Sequence, residues 1–280
     1  MTSARAGAPG DDRDRVAVVT GGARGIGRAM AARFATAGMR VVVADVDGDL
    51  ADSAARDLGG IGVPVDVRQV EDLERLRDTA LDAYGRVDVV CNNAGVTTSG
   101  RIRDLSLTEW HWILDVNLWG VVHGVHTFLP VLEATSDAGH LINTASGAGL
   151  AAAWANAPYG VSKYGIVGLS EILRRELAED GSTVAVSVLV PTATATSIVE
   201  SSRTFAPTRA SDPVEAAREQ DKARALAAGM RPEEVAEIVW AAVGDRRFWI
   251  LPYPPHAEWA LERAQEIVAA AATRYGEDSK

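Results

Sequence analysis

The chain is expected to adopt a doubly wound α/β fold, a single domain with a mostly parallel seven-stranded sheet and helices on both faces. Three observations carry that expectation. Short β-branched runs alternate with longer stretches of helical spacing along most of the 280 residues. The runs are apolar almost throughout, as parallel strands buried on both faces are. The first of them passes straight into a glycine-rich turn and a helix, the unit from which such sheets are wound.

Arg15 to Thr20, RVAVVT, is the first strand, followed by GGARGIG and then RAMAARFATAG, which has helical spacing and ends at Gly38. Gly21, Gly25 and Gly27 are expected to let the backbone approach a pyrophosphate, whose charge the amides of the helix N-terminus meet. Arg40 to Asp45 is the second strand, ending in an acid eighteen positions after Gly27. A carboxylate there can accept from both hydroxyls of a ribose and repel a 2′-phosphate, or it can cap the helix that follows. Ile61 to Val65 is the third strand, with Asp66 after it, and Gln69 to Tyr84 is an amphipathic helix. Val87 to Cys91 is the fourth, running into Asn92, Asn93, Ala94 and Gly95.

Leu107 to Thr135 carries apolar residues at helical spacing, with Asn117 out of place as a polar, poor helix former in its middle. Gly139 to Ala145 is the fifth strand, Ala157 to Glu179 a helix, and Thr183 to Val190 the sixth strand. The polar segment from Pro191 to Gly229 breaks the pattern where such folds place ligand-covering loops, and 197–229 is expected to form a lid over substrate. Pro232 with Glu233 and Glu234 starts another helix. Phe248 to Leu251 is the seventh strand and His256 to Tyr275 a final helix.

Composition narrows the function classes. Lys plus Arg is 28 and Asp plus Glu 38, a net charge of −10, which argues against nucleic acid or an anionic membrane as partner. No apolar run reaches the roughly 18 residues that span a bilayer. The single Cys91 excludes an internal disulfide framework and fits a reducing compartment. Residues 1–14 have no apolar signal core and read as a disordered leader, so the expected place is the cytoplasm and the expected domain 15–280.

Chemistry concentrates between Ser146 and Lys163. Tyr159 and Lys163 stand four apart, so on a helix they share a face. A free phenol has a pKa of about 10, and a neighbouring ammonium favours its ionised form. That pair can serve as a general acid/base.

With these residues laid out, the chain resembles the short-chain dehydrogenase/reductase family, single-domain Rossmann-fold enzymes, from Arg15 to about Leu251. TGGARGIG (Thr20 to Gly27) is similar to the family's TGxxxGxG cofactor loop, and Asn92 to Gly95 matches its NNAG. Asn117, Ser146, Tyr159 and Lys163 fall where the family's catalytic tetrad falls. The resemblance implies Tyr159 as proton donor and acceptor, Ser146 as the hydrogen-bond partner of the substrate oxygen, and Lys163 as the cation that lowers the tyrosine pKa and binds the nicotinamide ribose. It implies Asn117 as holder of a relay water. Cofactor contacts are implied at Gly21, Ala23, Arg24, Gly25, Ile26, Gly27, Asp45, Val46, Asp66, Val67, Asn93, Ala94, Gly95, Pro191, Thr194 and Thr196, besides Tyr159 and Lys163. Asp45 favours NAD over NADP, although Arg24 stands where some NADP-dependent members carry a basic residue. One departure is Thr192, where the family usually has glycine, which puts the local path of that loop in question.

Val96, Leu150, Trp154, Ile198 and Phe205 are the expected substrate walls. No Lys or Arg lies between Ser146 and Tyr159, so a neutral, fairly apolar secondary alcohol or its ketone is expected. Arg101, Arg203 and Arg209 in flanking segments leave that charge argument open. No metal is assigned. The expected function is an NAD-dependent alcohol dehydrogenase or ketoreductase; a redox-neutral epimerase working by transient oxidation and a non-catalytic cofactor sensor or scaffold are the alternatives. By resemblance, the two long helices pair copies into a homodimer or homotetramer; Trp112 and Trp119 suit that interface, and burial within one copy explains them as well.

Overall fold

A computed structural model of the protein describes residues 14–152, 156–207 and 213–275. Seven parallel strands form one sheet: β1 (Val16–Thr20), β2 (Arg40–Asp45), β3 (Ile61–Pro64), β4 (Val89–Asn92), β5 (His140–Thr144), β6 (Ala185–Leu189) and β7 (Trp249–Ile250). Their spatial order is β3-β2-β1-β4-β5-β6-β7, so the winding reverses between β1 and β4. Ligands of such sheets bind at that reversal, beyond the carboxyl ends of the strands.

Alternation along each strand builds two cores. Val16 and Val18 of β1 and Val42 and Ala44 of β2 point to one face. Helices α3 (Val70–Tyr84), α5 (Gly120–Thr135) and α6 (Ala157–Glu179) cover it with Leu73, Leu76, Phe128, Leu132 and Ile166 among others. Ala17, Val19, Val41 and Val43 point to the opposite face, covered by α1 (Gly25–Thr36), α2 (Gly48–Asp57) and α9 (Pro232–Gly244) through Met30, Phe34, Ala51, Val235 and Val239. Cys91 of β4 is sealed in this second core, and burial pushes its thiol well above the ordinary range.

Two expectations need correction. The long helix from Leu107 is not uniform: α4 (Leu107–Leu114) gives way to a π-helical stretch, Asp115–Trp119, before α5 begins. Its start is secured by a capping box, Ser106 and Glu109 each hydrogen-bonded to the other's backbone N–H. The segment after Pro191 is not a loop throughout, since α7 (Ile198–Phe205) and α8 (Pro213–Ala227) form within it. The final helix α10 (His256–Tyr275) does form, yet beyond its first turn it lies largely on the surface, with Leu261, Ile267 and Val268 exposed.

Candidate active site

The carboxyl ends of the strands open onto a cavity of about 590 Å³ that runs from the glycine-rich turn to α7 and α8. Gly21 and Gly25 both have positive φ, +60° and +56°, a region where a β-carbon is strained. They line the cavity, with Ile26 and Arg24. Gly27 does not line it and serves otherwise than expected. A β-carbon on Gly27 would lie 2.2 Å from the Gly21 carbonyl oxygen and 2.5 Å from Asn93 Nδ2, so this glycine lets α1 sit against the turn. No side chain caps the N-terminus of α1 at Arg24, leaving its first amides available to an anion.

Asp45 is buried at the end of β2 and accepts from Ala23 N and Asp47 N, both at 3.2 Å. The helix cap that Asp45 was a candidate for belongs to Asp47, whose carboxylate accepts from Leu50 N. Asp47 also holds Arg24 in an ion pair at 3.1 Å. Val46, Asp66 and Val67 line the same end of the cavity, Asp66 clasped by Arg68. Asn93 ties the turn to β4, donating from Nδ2 to the Thr20 and Gly21 carbonyls at 3.0 and 3.3 Å. Ala94 and Gly95 continue the wall. Left-handed glycines, an uncapped helix end and a carboxylate beyond β2 on one wall fit a dinucleotide.

Pro191, Thr192, Thr194 and Thr196 close the opposite side. Among the described residues only Arg246 is a non-glycine with positive φ, so Thr192 sits in backbone that a β-branched residue adopts freely. Its carbonyl accepts from Thr194 Oγ1 at 3.0 Å, which fixes the turn without a glycine.

Tyr159 and Lys163 share a face of α6, as their spacing requires, and Lys163 Nζ lies 5.5 Å from the Tyr159 ring centroid. Lys163 is 3 % exposed, donates to the Thr144 carbonyl at 2.8 Å, and is pushed by burial down to about 7. Burial raises the Tyr159 phenol above its ordinary value, and a hydrogen bond with Ser146 pulls it partly back. The expected lowering of the tyrosine pKa by Lys163 is therefore not what the protein's own groups produce. Burial penalises the phenolate, and the same burial disfavours the charged form of Lys163.

Asn117 is fully buried in the π-helical stretch. Its Oδ1 accepts from Val96 N at 2.8 Å, and its Nδ2 donates to the Val96 carbonyl at 3.0 Å and to Ser162 Oγ at 3.2 Å. A π turn frequently marks a functional residue, and here it gives the mid-helix Asn its reason. The position a β-carbon on Gly95 would take is 3.4 Å from Asn117 Oδ1 and 3.7 Å from Lys163 Nζ, so the two polar groups border one spot.

Of the expected substrate walls, Val96, Ile198 and Phe205 line the cavity. Leu150 does not; it packs against the core beneath α5 and α6. Trp154 and Arg209 lie outside the described residues. Trp112 is buried within the chain and faces the cavity, so it is not available to a partner, whereas Trp119 is 52 % exposed.

The sequence profile of the short chain dehydrogenase family matches residues 15–206, and its motifs lie where the geometry converges. The chain belongs to this family. It is 37 % identical over 243 residues to a 1-deoxy-11-beta-hydroxypentalenate dehydrogenase of Streptomyces exfoliatus, covering 84 % of this chain and 82 % of the relative. A C alpha-dehydrogenase of a Sphingobium species is 31 % identical over 94 % of this chain and 88 % of its own. A short chain dehydrogenase/reductase from Burkholderia phymatum, solved in complex with NAD, superposes with a TM-score of 0.89 at 33 % identity, covering 93 % of this chain and 96 % of that one. Family membership accordingly makes the chain a nicotinamide-dependent oxidoreductase. Among its described residues no helix is long and apolar enough to cross a membrane.

The oxidoreductase's cavity also holds residues that sequence reasoning missed. Lys222 of α8 reaches the catalytic end, with Nζ 5.4 Å from the Tyr159 ring centroid. This removes the premise that no cation faces the substrate; Lys222 comes from far beyond the run between Ser146 and Tyr159. His256 and Trp259 enter from the start of α10, His256 buried, with its ring 4.7 Å from that of Trp259. No local motif distinguishes any of the three. Thr20 had a usable signal, as part of the glycine motif: its Oγ1 accepts from Asn93 N and Ala94 N at 3.0 and 3.2 Å.

Proposed function

We propose that this oxidoreductase interconverts a fairly apolar secondary alcohol and its ketone with NAD(H). The observation that carries the reading is the meeting of Tyr159, Ser146 and Lys163 with the Asp45-lined cradle in a single cavity. Bound there, the nicotinamide cofactor supplies the hydride exchange. Ser146 and Tyr159 hold the substrate oxygen between their hydroxyls, and Tyr159 exchanges the proton with it. Lys163, pushed by burial down to about 7 and so able to take up and give back a proton near neutrality, refills the phenol's proton through the spot it borders with Asn117, where the family resemblance implies a water. Asn117 acts as a positioning residue by holding Val96 at both amide atoms.

NAD is favoured over NADP for two reasons. The Asp45 carboxylate would meet a 2′-phosphate, and the Arg24 guanidinium that could offset it is engaged by Asp47. The apolar character of the substrate rests on Trp112, Val116, Ile198, Phe205 and Leu226 along the cavity. The neutrality expected from the sequence is not carried forward, because Lys222 faces the same space. We extend the reading to a cytoplasmic enzyme without nucleic-acid or membrane partners. It would pair through α4–α5 and α6, where Trp119, Val161 and Ile172 are exposed, and close 197–229, of which 208–212 lie outside the described residues, over substrate.

The test is a panel of secondary alcohols assayed with NAD and NADP side by side, for wild type and Tyr159→Phe. Turnover with NAD in the wild type is expected, lowered in Tyr159→Phe by about 10²- to 10⁴-fold. Equal turnover by the two proteins would refute the role of Tyr159.

A further inference from the structure

Lys222 carries a charge that no ion pair among the described residues neutralises, Glu219 acting on it only at a distance. Its Nζ donates to Thr97 Oγ1 at 2.5 Å and to the Thr98 carbonyl at 3.3 Å. With the Asn156 amide oriented to satisfy both neighbours, its nitrogen donates to the Thr98 carbonyl at 2.8 Å and its oxygen accepts from Lys222 Nζ at 3.2 Å. All three acceptors are neutral. Among the described residues no carboxylate forms an ion pair with Lys222. Glu219, the acid one turn earlier on α8, is paired instead with Arg203 at 2.8 Å. An ammonium withdrawn from water without a counter-charge is costly, and native proteins normally provide one.

The neutral acceptors also serve a purpose. They fix the ammonium on the rim of the cavity, beside Tyr159 and opposite apolar walls, instead of leaving it to swing on its flexible stem. Lys163 is the other ammonium near this tyrosine, and it is committed to Thr144. A molecule whose carbon–oxygen bond meets the Tyr159 hydroxyl has its remaining atoms within reach of Lys222.

Resting on the alcohol–ketone reading above, we propose that Lys222 receives a carboxylate carried by the substrate, making the natural substrate an apolar hydroxy or keto acid. The carboxylate takes the place of the Thr98 carbonyl, the longest of the three contacts at 3.3 Å, which keeps the Asn156 amide as donor, and accepts from Nζ at about 2.8 Å, the usual length of a charge-assisted bond. Removal from water pushes Lys222 down to about 8, and an arriving carboxylate would hold it protonated.

The test uses the full chain with saturating NADH and two probes of one shape, cyclohexanecarboxylate and cyclohexanecarboxamide, with binding followed by calorimetry. Wild type and Tyr159→Phe are expected to bind the acid at least about tenfold more tightly than the amide. Lys222→Met should erase the difference and Lys222→Arg should keep most of it, each variant being checked for a cooperative thermal transition. Equal binding of the two probes, binding of neither, or a preference that survives in Lys222→Met would overturn the proposal. Because the readout is binding, it stands apart from the redox reading. An acid preference in a protein that oxidises no alcohol would sink the latter and leave the anion site in place.

Discussion

Gly27 offers a sharp test of how the cofactor turn is built. It lies within α1 without positive φ, so alanine is acceptable to its backbone, and the cost of Gly27→Ala is steric alone. The new β-carbon would meet Gly21 O at 2.2 Å and Asn93 Nδ2 at 2.5 Å, distances at which something must move. What moves is backbone of the turn or the amide that ties it to β4. Overpacking of this kind costs about 1–3 kcal/mol, which for a chain of this size lowers Tm by roughly 3–10 °C. Gly168, in the interior of α6, is the internal control, because a β-carbon there meets nothing within 4 Å. Gly168→Ala should stabilise by about 0.5–1 kcal/mol through helix propensity alone. Urea midpoints and Tm of the two variants are compared with wild type, together with NAD affinity by fluorescence. Opposite signs of stability change are expected, with weakened NAD binding in Gly27→Ala only. If Gly27→Ala matched wild type in midpoint and affinity, the close approach of α1 to the turn would be wrong.

Asp45→Ser should shift the ratio of kcat/KM for NAD over NADP by at least about tenfold toward NADP, measured with any one substrate; an unchanged ratio would remove Asp45 from the ribose. Lys163 titrates at about 7 in the fold against an ordinary 10.5, so the unfolded chain binds more protons between those values and stability rises with pH across that window. Lys163→Met should flatten part of that rise in urea midpoints taken from about pH 7 to 9, and an unaltered slope would count against a desolvated amine. His140, hydrogen-bonded to Ser187 at 2.6 Å, is pushed by burial, then by Arg246 and Arg15, down to about 3. Its contribution is lost as pH falls from 6.5 toward 3, so His140→Gln should make the acid limb of stability shallower, and an equally steep limb would argue that His140 titrates normally.

Much of the fold was legible because a strand in this sheet has two buried faces and advertises both. Val16 and Val18 went to one core, Ala17 and Val19 to the other, as period-two alternation dictates. Tyr159 and Lys163 were legible because four residues make about one helical turn. Asn117 could be seen as misplaced, but the π turn that excuses it depends on Val96 and Ser162, remote in sequence. Gly27 was assigned to phosphate approach because glycine's two uses, left-handed backbone and close packing, leave the same letter. Lys222, His256 and Trp259 escaped notice because long excursions bring them to Tyr159 and Ser146, and nothing local marks a lysine as turned inward. The two helices after Pro191 were missed for a related reason: that stretch is polar and carries no continuous apolar stripe to mark a helix.

The π-helical stretch has a consequence for how the family can vary. A widened turn inserts one residue's worth of rotation, about 100°, between α4 and α5. The cavity-facing positions of α4, Trp112 among them, and the sheet-facing positions of α5, Val121, Phe128 and Leu132, are thereby set by separate phases of one continuous rod. Length change at Asp115–Trp119 thus acts as an angular adjustment rather than a loss of material. Dropping or adding one residue there would turn the pocket wall that α4 carries relative to the core face of α5.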